Sequence, residues 1–209
     1  MLHRAYRPLL SLAPEGWPLA LLLAALGLYA AVAGAWAITA LAAAGWLGCL
    51  WFFHDGERQT PCRPRGVLAP VDGVVVHRRE CHDPVLGREA IRLTLRVRCG
   101  AAYALRSPIE GEVAALPPSE RGQPISRIRT DEGEDVLLVV RRGFLGPRPL
   151  GVAYGERVGQ GRRCGFRRLA WEFDLLLPAG SRVEVENGAR VRAGESVLAT
   201  LVRRASEPA

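Results

Sequence analysis

The sequence predicts a mainly β domain preceded by an N-terminal transmembrane helical hairpin. Three observations carry this. Residues 16–53 hold no charged side chain, while Arg, Asp and Glu crowd into residues 54–209. That charged portion breaks into short runs in which apolar and polar residues alternate, the period of a half-buried strand. Gly and Pro punctuate the runs densely, and no long amphipathic helix pattern survives between them. The 209 residues therefore divide into a cytoplasmic N-terminus (1–15), a membrane hairpin (16–53) and a β-rich domain (54–209).

As one continuous helix, GWPLALLLAALGLYAAVAGAWAITALAAAGWLGCLWFF would reach about 55 Å, well beyond the roughly 30 Å hydrocarbon core of a bilayer. A break near Ala33-Gly34 gives two short spans instead, with Trp17, Trp46 and Trp51 toward the interfaces. Arg4 and Arg7 precede the segment, and Arg58, Arg63 and Arg65 come after it, so the positive-inside rule sets both ends in the cytoplasm. A cleaved signal peptide would have a shorter apolar core followed by a small-residue cleavage site.

In the β domain, alternation is clearest in REAIRLTLRVR (88–98), DVLLVV (135–140) and WEFDLLL (171–177). Turn signals stand at 108–111, 117–120 and 159–161, which suggests two small sheets folded over one another. In LAPVDGVVV (68–76), Asp72-Gly73 between β-branched stretches is a hairpin signal, because both residues tolerate the backbone angles of tight turns. The tail GARVRAGESVLATL (188–201) has the rhythm of barrel-sandwich carrier domains. The chain contains no Lys to modify, so the rhythm reports fold and not cofactor attachment.

All 28 basic residues are accordingly Arg, and the formal charge of +7 suggests an anionic partner. Zinc-finger spacing and RNP-type aromatics are absent, so no nucleic acid partner is expected, whereas an anionic membrane surface fits. Biased genome composition is an equally good source of Arg in place of Lys. Cys49, Cys62, Cys81, Cys99 and Cys164 form no CxxC pair, and His3, His54, His77 and His82 form no HxH or HxxxH pair. Metal binding is not expected, and the thiols read as reduced.

Several segments, taken in order, resemble the short, membrane-anchored bacterial phosphatidylserine decarboxylases. FFHDGERQTP (52–61) is similar to that family's FFRDPxRxxP, and LAPVDGVVV to its SPADGxV. LRSPIEGEV (105–113) resembles NRxPxxGxV, CGFRRLAWEFDLLLP (164–178) resembles FGFIRFGSRVDVYLP, and GARVRAGESVLATL resembles GxRVxAGETVLA. The resemblance implies a barrel-sandwich-like β domain of phosphatidylserine decarboxylase type. It also implies a cell inner membrane, with the β domain on the cytoplasmic side.

Members of that family are made as proenzymes that cut themselves. A Ser hydroxyl attacks the carbonyl of the preceding Gly, and elimination from the resulting ester leaves an N-terminal pyruvoyl group. That ketone condenses with the amine of phosphatidylserine and takes up the electrons released as carbon dioxide leaves. An Asp-His-Ser set activates the Ser.

Carried over residue by residue, Asp72 stands at the family's Asp, but Tyr103 stands at its His. Ala170 and Trp171 stand at its Gly-Ser, and Glu172 at the Arg after them. Trp offers only an indole N–H, and the Tyr phenol, with a pKa of about 10, is poorly matched to base work near neutrality. Losing the nucleophile of such a set costs on the order of a million-fold. Gly180-Ser181-Arg182 mimics the family's GSR, yet Ser181 lies too close to Gly194 for the family spacing, whereas Trp171 fits it.

These replacements point to a membrane-anchored family member that has lost self-cleavage and acts as a lipid-binding or partner-binding pseudoenzyme. Asp72 is then better read as a turn former. Arg98, Arg106 and Arg148 remain available to hold a lipid phosphate, phosphatidylserine included. No free cofactor is expected, and a covalent pyruvoyl group only if self-cleavage occurs. A homodimer, or a heteromer with an active relative, is compatible with the resemblance. The alternatives are an active decarboxylase cut at Ser181, making phosphatidylethanolamine, and a membrane-tethered structural module.

Overall fold

A computed structural model of the protein describes residues 12–83, 85–116, 123–143, 152–167 and 169–202, with the backbone alone at 123–125. The chain forms two compact units that divide between Glu57 and Arg58.

In the first unit, helices α1 (Trp17–Val32) and α2 (Trp36–Phe52) lie side by side. Pro18 sits in the first turn of α1, where its missing N–H has no partner to lose. Ala33 to Ala35 separate the helices, with Gly34 at φ +73°, a conformation that strains any residue with a Cβ. Small residues let the two backbones approach: a Cβ on Gly27 would lie 3.4 Å from that of Ala42. The ends of the pair return to each other, since the Ala13 amide donates to the Phe53 carbonyl at 2.8 Å and Leu12 bridges His54. Leu22, Leu28, Val32, Trp36 and Leu41 are exposed, so apolar residues surround both helices. Pro14–Val32 is long and apolar enough to cross a membrane, and Trp36–Phe52 is shorter.

The second unit is built of strands β1 (Gly66–Leu68), β2 (Gly73–Asp83), β3 (Arg88–Val97), β4 (Ala104–Arg106), β5 (Gly111–Ala114), β6 (Gln123–Arg129) and β7 (Asp135–Gly143). After these come β8 (Arg157–Val158), β9 (Arg163–Phe166), β10 (Ala170–Pro178), β11 (Arg182–Val183), β12 (Arg190–Val191) and β13 (Val197–Thr200). Among the described residues they form one curled eight-stranded sheet in the order β12-β2-β3-β10-β7-β6-β5-β8. A three-stranded sheet β1-β13-β11 and the pair β4-β9 complete the domain. Leu93, Leu95, Phe173, Leu175, Leu177, Leu138 and Leu198 pack inside. The alternating segments read from the sequence fall in β3, β7 and β10, which are neighbours near the middle of the large sheet.

Two expectations need correction. Instead of two small sheets there are an eight-stranded sheet, a three-stranded sheet and a two-stranded pair, because alternation marks strands without naming their partners. Nor is there a hairpin at Asp72-Gly73: β1 pairs with β13, and β2 with β3 and β12. Gly73 is needed for a different reason, since a Cβ there would collide with the carbonyl oxygen of Arg96 on the adjacent strand. The turn expected at 117–120 lies outside the described residues.

Candidate functional site

Asp72 lies in the bend between β1 and β2, and its carboxylate gathers three distant parts of the β domain. Oδ2 accepts from Arg58 Nη2 at 2.7 Å and from the Ala102 amide at 3.0 Å. Oδ1 accepts from the Ala193 amide at 2.8 Å. The backbone turns at this point too, with the Arg98 amide donating to the Asp72 carbonyl at 3.3 Å. A carboxylate with an Arg and two amides for partners is fixed in position. Asp72 sits in a bend, and its side chain is in addition a clamp on distant residues. The sequence marked Arg58 as charge flanking the apolar segment and as the Arg shared with the family's FFRDPxRxxP; its contact with Asp72 is one that spacing does not reveal.

The segment next to Ala102 carries Tyr103. It is buried, and its ring stacks on Phe166 with centroids 5.6 Å apart and planes at 8°. Arg167 straps the same segment: its amide donates to the Tyr103 carbonyl, Nε to that of Ala102 and Nη2 to that of Ala101. Burial pushes the Arg167 guanidinium below its usual range, while the nearby Tyr103 and Asp72 pull it back up. Asp72 and Tyr103 therefore meet through residues 101–103.

β10 begins beside them. The Ala170 amide donates to the Arg167 carbonyl at 3.0 Å, Ala170 is buried, and Trp171 is exposed. Glu172 is buried, with Arg96 at 3.1 Å, Arg142 at 3.4 Å and Arg141 at 3.9 Å. Three cations around one desolvated carboxylate make the start of β10 a fixed electrostatic knot. No sequence signal singled it out, because Glu172 and its partners come from three strands.

Ser181 is elsewhere. It comes after the far end of β10, where its amide donates to the Pro178 carbonyl at 3.0 Å. Along the sheet, Glu172 pairs with Arg96 and Pro178 with Ala90, while Gly73, next to Asp72, pairs with Val97. Glu172 to Pro178 spans about 20 Å at roughly 3.3 Å per residue. Asp72 thus sits at the Trp171 end of the strand and Ser181 beyond the other. The Ser181 hydroxyl is buried and has no hydrogen-bond partner among the described residues.

Of the arginines considered for a lipid phosphate, Arg98 is exposed beside Asp72. Arg106 reaches inward instead, donating to the Gly161 carbonyl at 3.3 Å. Arg148 lies outside the described residues. Among those residues no group of His, Cys, Asp and Glu is arranged to hold a metal ion.

No family model matches the chain. Whole-chain relatives do. It is 34% identical to the phosphatidylserine decarboxylase proenzyme of Nitrosomonas europaea, covering 93% of this chain and 97% of that protein. The protein of the same name from Aromatoleum aromaticum is 32% identical, over 91% and 95% of the two chains. The chain belongs to the phosphatidylserine decarboxylase family.

A pyruvoyl group is made from the backbone and side chain of a Ser, and residues 170–171 supply a methyl and an indole. The residues present at this end of β10 do not fit such a group.

Proposed function

We propose that the chain is a membrane-anchored member of the phosphatidylserine decarboxylase family that does not cut itself and has no decarboxylase activity. In this reading it binds phospholipid as a pseudoenzyme. The observation that carries the reading is the company Asp72 keeps. Tyr103 and the Ala170-Trp171 pair share its end of the sheet, and none offers a hydroxyl or thiol nucleophile paired with an imidazole base. Ser181, the alternative nucleophile, lies past the opposite end of β10.

Anchoring rests on the two apolar helices, whose joined ends and flanking arginines suit a hairpin that enters and leaves on the cytoplasmic side. Lipid binding rests on exposed Arg98 beside the Asp72 clamp and on the net positive charge. The intact mass of the purified chain in detergent tests the reading. A single species near 22.7 kDa is expected. Two fragments, the smaller beginning with a pyruvoyl group, would overturn it.

A further inference from the structure

The outer face of the eight-stranded sheet carries a second cluster, unrelated to Asp72. Its rows are set by the register: His77 pairs with Thr94 and Arg79 with Arg92 across β2 and β3, and Thr94 pairs with Asp174 across β3 and β10. His77, Arg79, Arg92, Thr94 and Arg141 line a pocket of about 140 Å³. That is room for a group the size of a phosphate.

The floor is built and the walls are cationic. Thr94 and Asp174 are buried, and the Thr94 hydroxyl donates to Asp174 Oδ1 at 2.6 Å. Arg141 reaches that hydroxyl at 3.5 Å, and Arg92 Nε stands 3.8 Å from Asp174 Oδ2. One carboxylate therefore faces three guanidiniums and an imidazole. Neighbouring Glu172 offsets only Arg141, at 3.9 Å, and is shared with Arg96 and Arg142, so positive charge remains in excess around the pocket.

Two features are costly unless something negative enters. Arg79 and Arg92 are directly opposite on adjacent strands, and like charges so placed destabilise a sheet. In addition, the buried Arg92 Nε has no hydrogen-bond partner, and Arg79 makes no ion pair, among the described residues. A bound oxyanion relieves both, since planar guanidiniums grip its oxygens in pairs.

We propose that this pocket binds a phosphoryl group. The chemistry is shared by a lipid phosphomonoester and by free phosphate, and titration calorimetry on the full chain in nonionic detergent separates them. Inorganic phosphate, short-chain phosphatidate and short-chain phosphatidylcholine are titrated in turn. Saturable binding of phosphatidate or phosphate, and none of phosphatidylcholine, is expected. Tighter binding of phosphatidate identifies a lipid ligand, and equal affinity identifies the free ion. R79Q and R141Q each weaken binding about tenfold, the loss of one charge-assisted contact. R78Q, on the same strand but one residue out of phase, leaves it unchanged. No saturable binding of either anion, or equal loss in R78Q, would overturn the proposal.

Discussion

Arg58 Nη2 lies 2.7 Å from Asp72 Oδ2, and the same carboxylate holds the amides of Ala102 and Ala193, residues remote from Asp72 in sequence. With side chains only 9% and 17% exposed, the pair is largely shielded from water. Removing the carboxylate leaves a buried guanidinium and two amides without acceptors. Asp72→Ala is expected to cost about 3 kcal/mol, read from the urea midpoint. Asp72→Asn costs less, because an amide oxygen still accepts. A change below about 1 kcal/mol in Asp72→Ala would remove the clamp from the account of stability.

On the proposed pseudoenzyme reading, the side chains at the head of β10 are what prevents self-cleavage, and substituting the family's residues there should bring it about. The triple variant Tyr103→His, Ala170→Gly, Trp171→Ser is expected to yield two fragments by mass spectrometry, where the parent yields one species. Ser181→Ala is expected to leave that single species untouched. A parent that cleaves and stops cleaving on Ser181→Ala would identify Ser181 as the nucleophile and sink the pseudoenzyme reading.

The apolar run to Phe53, the strands β3, β7 and β10 and the family resemblance were legible because each is a local pattern: an uncharged stretch, a period of two, a short motif. What stayed hidden was pairing. Asp72-Gly73 has the composition of a hairpin turn, yet Gly73 is there to pass the Arg96 carbonyl and Asp72 to hold residues far along the chain. Arg58, Arg167 and the arginines around Glu172 were equally invisible, since each meets its partner only through tertiary contacts.

Asp135 is one carboxyl whose protonation costs stability in acid. Burial alone would raise its carboxyl pKa, but hydrogen bonds from Arg127 and Arg129 outweigh burial and hold it below the usual range. A depressed folded-state value means the stabilisation is whole above the unfolded pKa of about 3.9 and is lost as pH falls below that through the lower folded-state value. Unfolding free energy should decline below that pH, and Asp135→Asn should flatten the decline. Parallel acid limbs in the two proteins would assign the loss to other carboxyls.

Cys164 sets a limit on the alkaline side. Burial pushes its thiol up to about 12, and its Sγ donates to the Leu105 carbonyl at 3.6 Å, a bond the thiolate cannot make. Raised above its unfolded value of about 8.5, the group contributes stability that is whole below that pH and declines above it. The decline is at most about 1.4 kcal/mol per pH unit. Iodoacetamide at pH 8 should label exposed Cys62 and Cys99 in the folded protein and spare Cys164, which reacts only in urea. Cys164→Ala should remove the alkaline slope, with a cavity cost that is the same at every pH. Rapid native-state labelling of Cys164 would mean that β9 opens from β4 often enough to expose it, and the burial argument would fail.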